Sequence, residues 1–265
     1  MTPAWHLGFV LIAAPAALGA QAWTKRVAAA PDGEVRIAFA AREGICGDGR
    51  TFIRDRNRED YLMMREYNEG SSWRNRPCED GPVRLAIKVR AGIIRSARVF
   101  VGGSWPAATS ETIDLGRLGV KDATDGLLAL ARGDGMRNGG DLIFPATIAD
   151  SVEIWPALLS LARDRSAARE SRKQAVFWVS QAAGEKAADG LSNLVRDEGE
   201  DQEIREQAVF ALSQLPKDQG VPILVRVARS NRDPGIRRKA MFWLGQSEDP
   251  RALELFEDIL TKPRQ

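Results

Sequence analysis

One ten-residue phrase is written three times in this chain: RKQAVFWVSQ at 172–181, REQAVFALSQ at 205–214 and RRKAMFWLGQ at 237–246. Aligned on Ala175, Ala208 and Ala240, the copies lie 33 and 32 residues apart. Each has Arg three positions before the Ala (Arg172, Arg205, Arg237), Phe two after it (Phe177, Phe210, Phe242) and Gln six after it (Gln181, Gln214, Gln246). A second phrase recurs out of phase. LLALAR ends at Arg132, LLSLAR at Arg163, SNLVR at Arg196 and LVRVAR at Arg229, at steps of 31, 33 and 33, and Lys262 stands 33 further on. Two helical phrases alternating at this period predict stacked helical hairpins, because one hairpin cannot bury its apolar face alone. From about Lys121 onward the chain therefore reads as an α-solenoid.

The stretches DQEIREQAVFALSQL and DPGIRRKAMFWLGQ, each followed by a turn and an apolar helix, resemble HEAT repeats of the short bacterial type named after phycobilin lyases. The resemblance rests on an Asp followed by an aliphatic–Arg pair, here Asp201 with Ile204-Arg205 and Asp233 with Ile236-Arg237. The copy containing Arg172 has Ala168 where the Asp should be, and Pro145 distorts a further copy around DLIFPATIAD (141–150). The likeness covers roughly Lys121 to Leu260. It implies a scaffold whose second helices line a concave face, with a protein or peptide as partner, and it says little about activity. By family analogy a chromophore lyase, or a related chaperone, is the enzyme-class alternative.

The repeated residues have structural uses. Asp201 and Asp233 suit helix N-caps, and the three Ala permit close helix packing. At 100° per residue, Ala175, Val176, Trp178, Val179 and Ala182 fall on one broad face, with Phe177 on the other side between Lys173, Gln174 and Gln181. Phe210 and Phe242 repeat that placement. Phe177, Phe210 and Phe242, edged by Gln181, Gln214 and Gln246, are thus the candidate partner-binding residues. The alternative is that each ring packs between neighbouring repeats.

Before the solenoid the periodicity is two. GEVRIAFAAR places Val35, Ile37, Phe39 and Ala41 on one face of a strand. PVRLAIKVR and IIRSARVFVGG, joined by Ala91-Gly92, read as a β-hairpin, and TIDLG as a short further strand. Between Cys46 and Cys78 the chain is polar and rich in Arg and acids. It reads as a surface excursion whose Arg50, Arg54, Arg56 and Arg58 form an ion-pair face rather than an anion site. Trp73 and Trp105 are candidate glycan or peptide contacts, or else buried loop anchors. GDGR at 47–50 and RGDGMRNGGD at 132–141 lack the context of phosphate or calcium loops and read as turns.

Residues 7–20 (LGFVLIAAPAALGA) form an uncharged apolar run followed by Ala20-Gln21-Ala22, the pattern of a secretory signal peptide cut after Ala22 or Ala20. The run is short for a membrane span, which needs about 20 residues. Export, most simply to a bacterial periplasm, makes the two cysteines a disulfide pair. His6 is the single histidine, so a processed chain has none. That removes Ser-His-Asp, Cys-His and most zinc chemistry. A formal net charge of +2 gives no basis for nucleic-acid binding.

The chain is therefore expected to be α+β. A signal peptide (1–22) precedes a small β-rich domain (23–118) and a HEAT-type solenoid (119–265) of about four helical hairpins. The expected function is that of an exported, non-enzymatic protein-interaction scaffold without cofactor or metal and without membrane insertion after cleavage. A cell-envelope factor binding glycan through its β-domain is the further alternative. N-terminal sequencing of exported protein should find a chain beginning near Trp23; a retained Met1 in that material would overturn the signal-peptide assignment.

Overall fold

The computed structural model describes residues 19–50, 52–57, 60–64, 77–133 and 140–261. Most of the expected signal peptide, with Arg58, Trp73, Asp134 and Lys262, lies outside the described residues. The chain is α+β. Helix α1 (Ala20–Ala28) is followed by strands β1 (Gly33–Phe39), β2 (Ile45–Gly47), β3 (Phe52–Asp55), β4 (Asp60–Met64), β5 (Glu79–Asp80), β6 (Val83–Arg90), β7 (Ile93–Phe100) and β8 (Thr112–Arg117). Helices α2 (Val120–Arg132), α3 (Gly140–Thr147), α4 (Trp155–Arg163), α5 (Arg169–Ala183), α6 (Ala188–Arg196), α7 (Gln202–Ser213), α8 (Lys217–Ser230), α9 (Pro234–Gly245) and α10 (Pro250–Thr261) complete it.

The larger sheet has strand order β7-β6-β1-β8. The expected hairpin is present: β6 and β7 pair antiparallel around Ala91-Gly92, both at positive φ (53° and 70°), which matches the twist of the flanking strands. Val35 faces Ile87 and Ile37 faces Leu85 across β1 and β6, while Leu85 faces Val99 across β6 and β7. These side chains are buried in one apolar cluster together with residues of α1, α2 and α3. The sheet and the first hairpin of the solenoid thus share a core. Trp23 of α1 is fully buried and donates from its indole N–H to the Asp122 carbonyl at 3.0 Å. A Cβ at Gly126 would lie 2.4 Å from the Trp23 ring, so only glycine admits the indole there.

The opposite face of the sheet is covered by the loop after β7. Arg36 donates to the Pro106 carbonyl at 2.7 Å and Arg84 to that of Gly102, and both guanidinium groups lie over the half-buried Trp105 ring, 4.6 Å and 5.2 Å from its centroid. Trp105 is therefore a loop anchor.

The segment between the cysteines is not a featureless excursion. It contributes β3 and β4 to a second sheet of order β4-β3-β2-β5. Phe52 and Ile53 are buried, a pattern too short to stand out against the surrounding charge. Cys46 and Cys78 form a disulfide with Cα atoms 5.2 Å apart. Arg56 pairs with Asp80 at 2.9 Å. The Asp48 carboxylate closes its own turn by accepting from the Arg50 and Phe52 N–H groups, which accounts for GDGR.

The helices pair as α2/α3, α4/α5, α6/α7 and α8/α9, with α10 packed after them. The recurrent Arg fastens these hairpins. Arg172 and Arg205 are buried, and each donates from Nε to a carbonyl ten residues back, Ala162 at 2.9 Å and Val195 at 3.2 Å. The same guanidinium reaches an acid of the next repeat: Arg172 to Glu200 at 2.6 Å, Arg205 to Asp233 at 3.0 Å. A planar fork with several donors does this and an ammonium does not. Arg237 departs, donating to the carbonyls of Asn231 and Arg232. Asp201 and Asp233 are N-caps, accepting from the Glu203 N–H and from those of Gly235 and Ile236. DEGED (197–201) is consumed in the same contacts. Asp197 pairs with Arg165, Glu200 with Arg172, and Asp201 with Arg169.

Two outcomes follow for urea denaturation followed by circular dichroism. Replacing both cysteines with Ala should cost about 3–4 kcal/mol by freeing the loop in the unfolded chain, with an unchanged midpoint counting against the bridge. Arg172→Met, which leaves buried Glu200 with Arg165 at 4.0 Å as its nearest cation, should cost about 3 kcal/mol, and adding Glu200→Leu should return most of it. Equal losses in the single and double variants would show that the pair is not the source.

Candidate protein-interaction face

Helices α5, α7 and α9 pack side by side as the second members of consecutive hairpins. Their shared phase follows from the repeat. Ala175, Val176 and Val179, then Ala208, Val209 and Leu212, then Ala240 and Leu244 are all buried against the first helices. One departure from the helical-wheel expectation is Ala182, which is exposed at the end of α5. Trp178, placed on the same buried face by that wheel, is half-buried and turns its ring toward Phe177.

The three repeated phenylalanines stand in a row. Phe177 and Phe210 are half-buried, with ring planes 6° apart and centroids at 6.4 Å. Phe242 is 56% exposed. The row is joined by Trp178 and Trp243. Trp178 contacts Phe177 at 5.0 Å and Phe144 of α3 at 5.4 Å. Trp243 contacts Phe210 at 4.9 Å and Phe242 at 5.0 Å. The result is an aromatic file, Phe144–Trp178–Phe177–Phe210–Trp243–Phe242, that crosses four hairpins. The two indoles directly follow Phe177 and Phe242 in sequence, and that adjacency was the available signal.

The charged residues beside the row are tied across neighbouring helices. Lys173 pairs with Glu203 at 3.4 Å, and Lys239 with Glu206 at 3.3 Å. They hold α5 to α7 and α7 to α9. Gln214 and Gln246 are exposed at the C-caps of α7 and α9. Gln214 donates to the Ser213 hydroxyl at 3.2 Å.

Gln181 has a different setting. It lines a cleft of about 200 Å³ where the solenoid meets the β-rich part, together with Arg42, Glu153, Trp155, Trp178 and Lys186. Lys186 donates to Glu153 at 2.6 Å. That hydrogen bond holds the Glu153 carboxyl below the usual carboxylate range. Arg42 enters from the segment after β1 and pairs through Nη2 with fully buried Asp55 at 3.0 Å. Nothing in the local sequence of Arg42 links it to Trp155 or Trp178.

An aromatic row edged by amides, ending in a cleft with two indoles, offers apolar contact area together with hydrogen-bonding groups, the mixture found at protein-binding surfaces. No curated protein matches the chain. The family model for HEAT repeats matches residues 188–265, which hold α6 to α10. Residues 188–265 are thus similar to HEAT repeats, helical scaffolds of a kind that commonly mediates protein–protein contacts.

Proposed function

We propose that this protein is an exported, non-enzymatic interaction scaffold that holds a segment of a partner protein along Phe177, Phe210 and Phe242. The observation that carries the reading is the continuity of the aromatic file. Equivalent rings from successive repeats form one surface, so a single extended segment can touch several of them. Export is supported by the apolar leader with its Ala20-Gln21-Ala22 pattern and by the Cys46–Cys78 bridge, which persists in an oxidising compartment such as the periplasm. The partner makes its contacts with the rings, and Gln181, Gln214 and Gln246 supply amides at the edge.

Truncation separates a binding row from a packing row by magnitude. Phe242→Ala should leave stability within about 0.5 kcal/mol, whereas a core ring would cost ~3–5 kcal/mol. Phe210→Ala should lose an intermediate amount, on the order of 1 kcal/mol, from its two aromatic neighbours. A photo-cross-linking amino acid at position 242, introduced in the producing cell, should give a discrete adduct that Phe210→Ala reduces. A core-sized stability loss for Phe242→Ala, together with no adduct, would sink the proposal.

A further inference from the structure

The far end of the array breaks the burial rule of its own repeats. Ile154, Ala187 and Gly220 share one position of the first helices, at steps of 33 residues, and all three are buried; Leu253 holds that position in α10 and is 64% exposed. Leu161, Leu194 and Val227 form a second buried series, and Leu260 continues it at 84% exposed. On the second helices Val176 and Val209 are fully buried, and Met241 at their position in α9 is half-buried. A repeat array that ends in water ends on a polar face. Here the end presents Met241, Leu253, Leu260 and half-buried Phe256. The charges are unmet in the same way. Two positions of each earlier second helix reach forward to a charge of the next repeat. Arg172 meets Glu200 and Arg205 meets Asp233 from the first position, while Lys173 meets Glu203 and Glu206 meets Lys239 from the second. Their equivalents in α9 are Arg237 and Arg238, and neither closes a salt bridge among the described residues. Helix α10 carries the opposite sign: Glu254 and Glu257 are exposed on it and close none there either.

We propose that two copies of this chain pair through this end about a two-fold axis, with α10 of each copy lying against α9 of the other. Leu253, Phe256 and Leu260 of one copy cover Met241 of the second, and Arg237 and Arg238 receive the acids of the second copy's α10. A two-fold interface joins a patch to itself, so each group must find its complement on the same surface. This end meets that condition: α9 brings the cations, α10 brings the acids, and both bring uncovered apolar side chains. The forward-facing cations take from the second copy what Arg172 and Arg205 take from the next repeat. The pairing goes beyond the phenylalanine row and meets it only at its border, where Phe242 stands.

Sedimentation equilibrium of the full chain tests this. The unaltered protein should reach a species of twice the chain mass and none larger. Leu260→Glu, a change at an exposed position, should weaken pairing by about thirtyfold or more, the loss of a central apolar contact, with the circular dichroism spectrum unchanged. Arg238→Glu and Glu257→Arg should each stay monomeric where the unaltered chain pairs, because like charges then meet twice across the axis. Mixed in equal amounts, these two variants should pair with one another, since each then meets the opposite sign at both contacts. An unaltered chain that stays monomeric at every concentration reached overturns the inference and leaves the end to another kind of partner. A dimer that Leu260→Glu leaves intact overturns it too, as does an open series of larger species. Charge variants that pair as the unaltered chain does, or a mixture of them that stays monomeric, rule out the two-fold arrangement of α9 on α10.

Discussion

A buried guanidinium that answers to three parts of the chain at once sets the geometry of the helical array. Arg172 sits on the second helix of its hairpin, binds the end of the first and pairs with Glu200 of the following repeat. Arg205 repeats the arrangement with Val195 and Asp233. Burying such a charge is costly unless every contact is satisfied. Arg172 and Arg205 reach these partners at the observed stagger between hairpins, so the pairs favour that register. Apolar packing alone tolerates sliding. With the register set, side chains at equivalent positions line up, and the aromatic file is a consequence of that alignment.

The array also has a fixed origin. The sheet shares its core with the first hairpin, and Trp23 fills the space that Gly126 leaves open. The β-rich part is consequently a wall against which the first repeats are built. It supplies Arg42 to the lining of the cleft. The bridge between Cys46 and Cys78 joins β2 to the residues just before β5, holding the smaller sheet together behind that wall.

Much of this was legible in the sequence, for reasons that differ by element. The solenoid announces itself because each repeat faces the same packing problem and solves it with the same residues. The β6–β7 hairpin is legible from alternation around one turn. The disulfide follows from two cysteines and an expected oxidising compartment. The strands inside the cysteine loop are too short and too surrounded by charge to be seen. Arg172 and Arg205 are conspicuous as repeats, but their partners lie ten residues back and a repeat ahead. Trp178 shares the face that packs against the core, as the helical wheel places it, and its half-buried ring lies at the margin of that face. The Phe row was legible as a row; the cleft was not, since Arg42 and Trp155 meet only through the docking of two differently built parts.

The exposure of the aromatic file rises from half-buried Phe177 to Phe242 at 56%. In a repeat protein each unit draws stability mainly from its neighbours. The file therefore runs from rings wedged between adjoining helices to one whose edge lies open, so successive rings with the same place in the repeat divide their area differently between holding the array together and meeting whatever touches its surface.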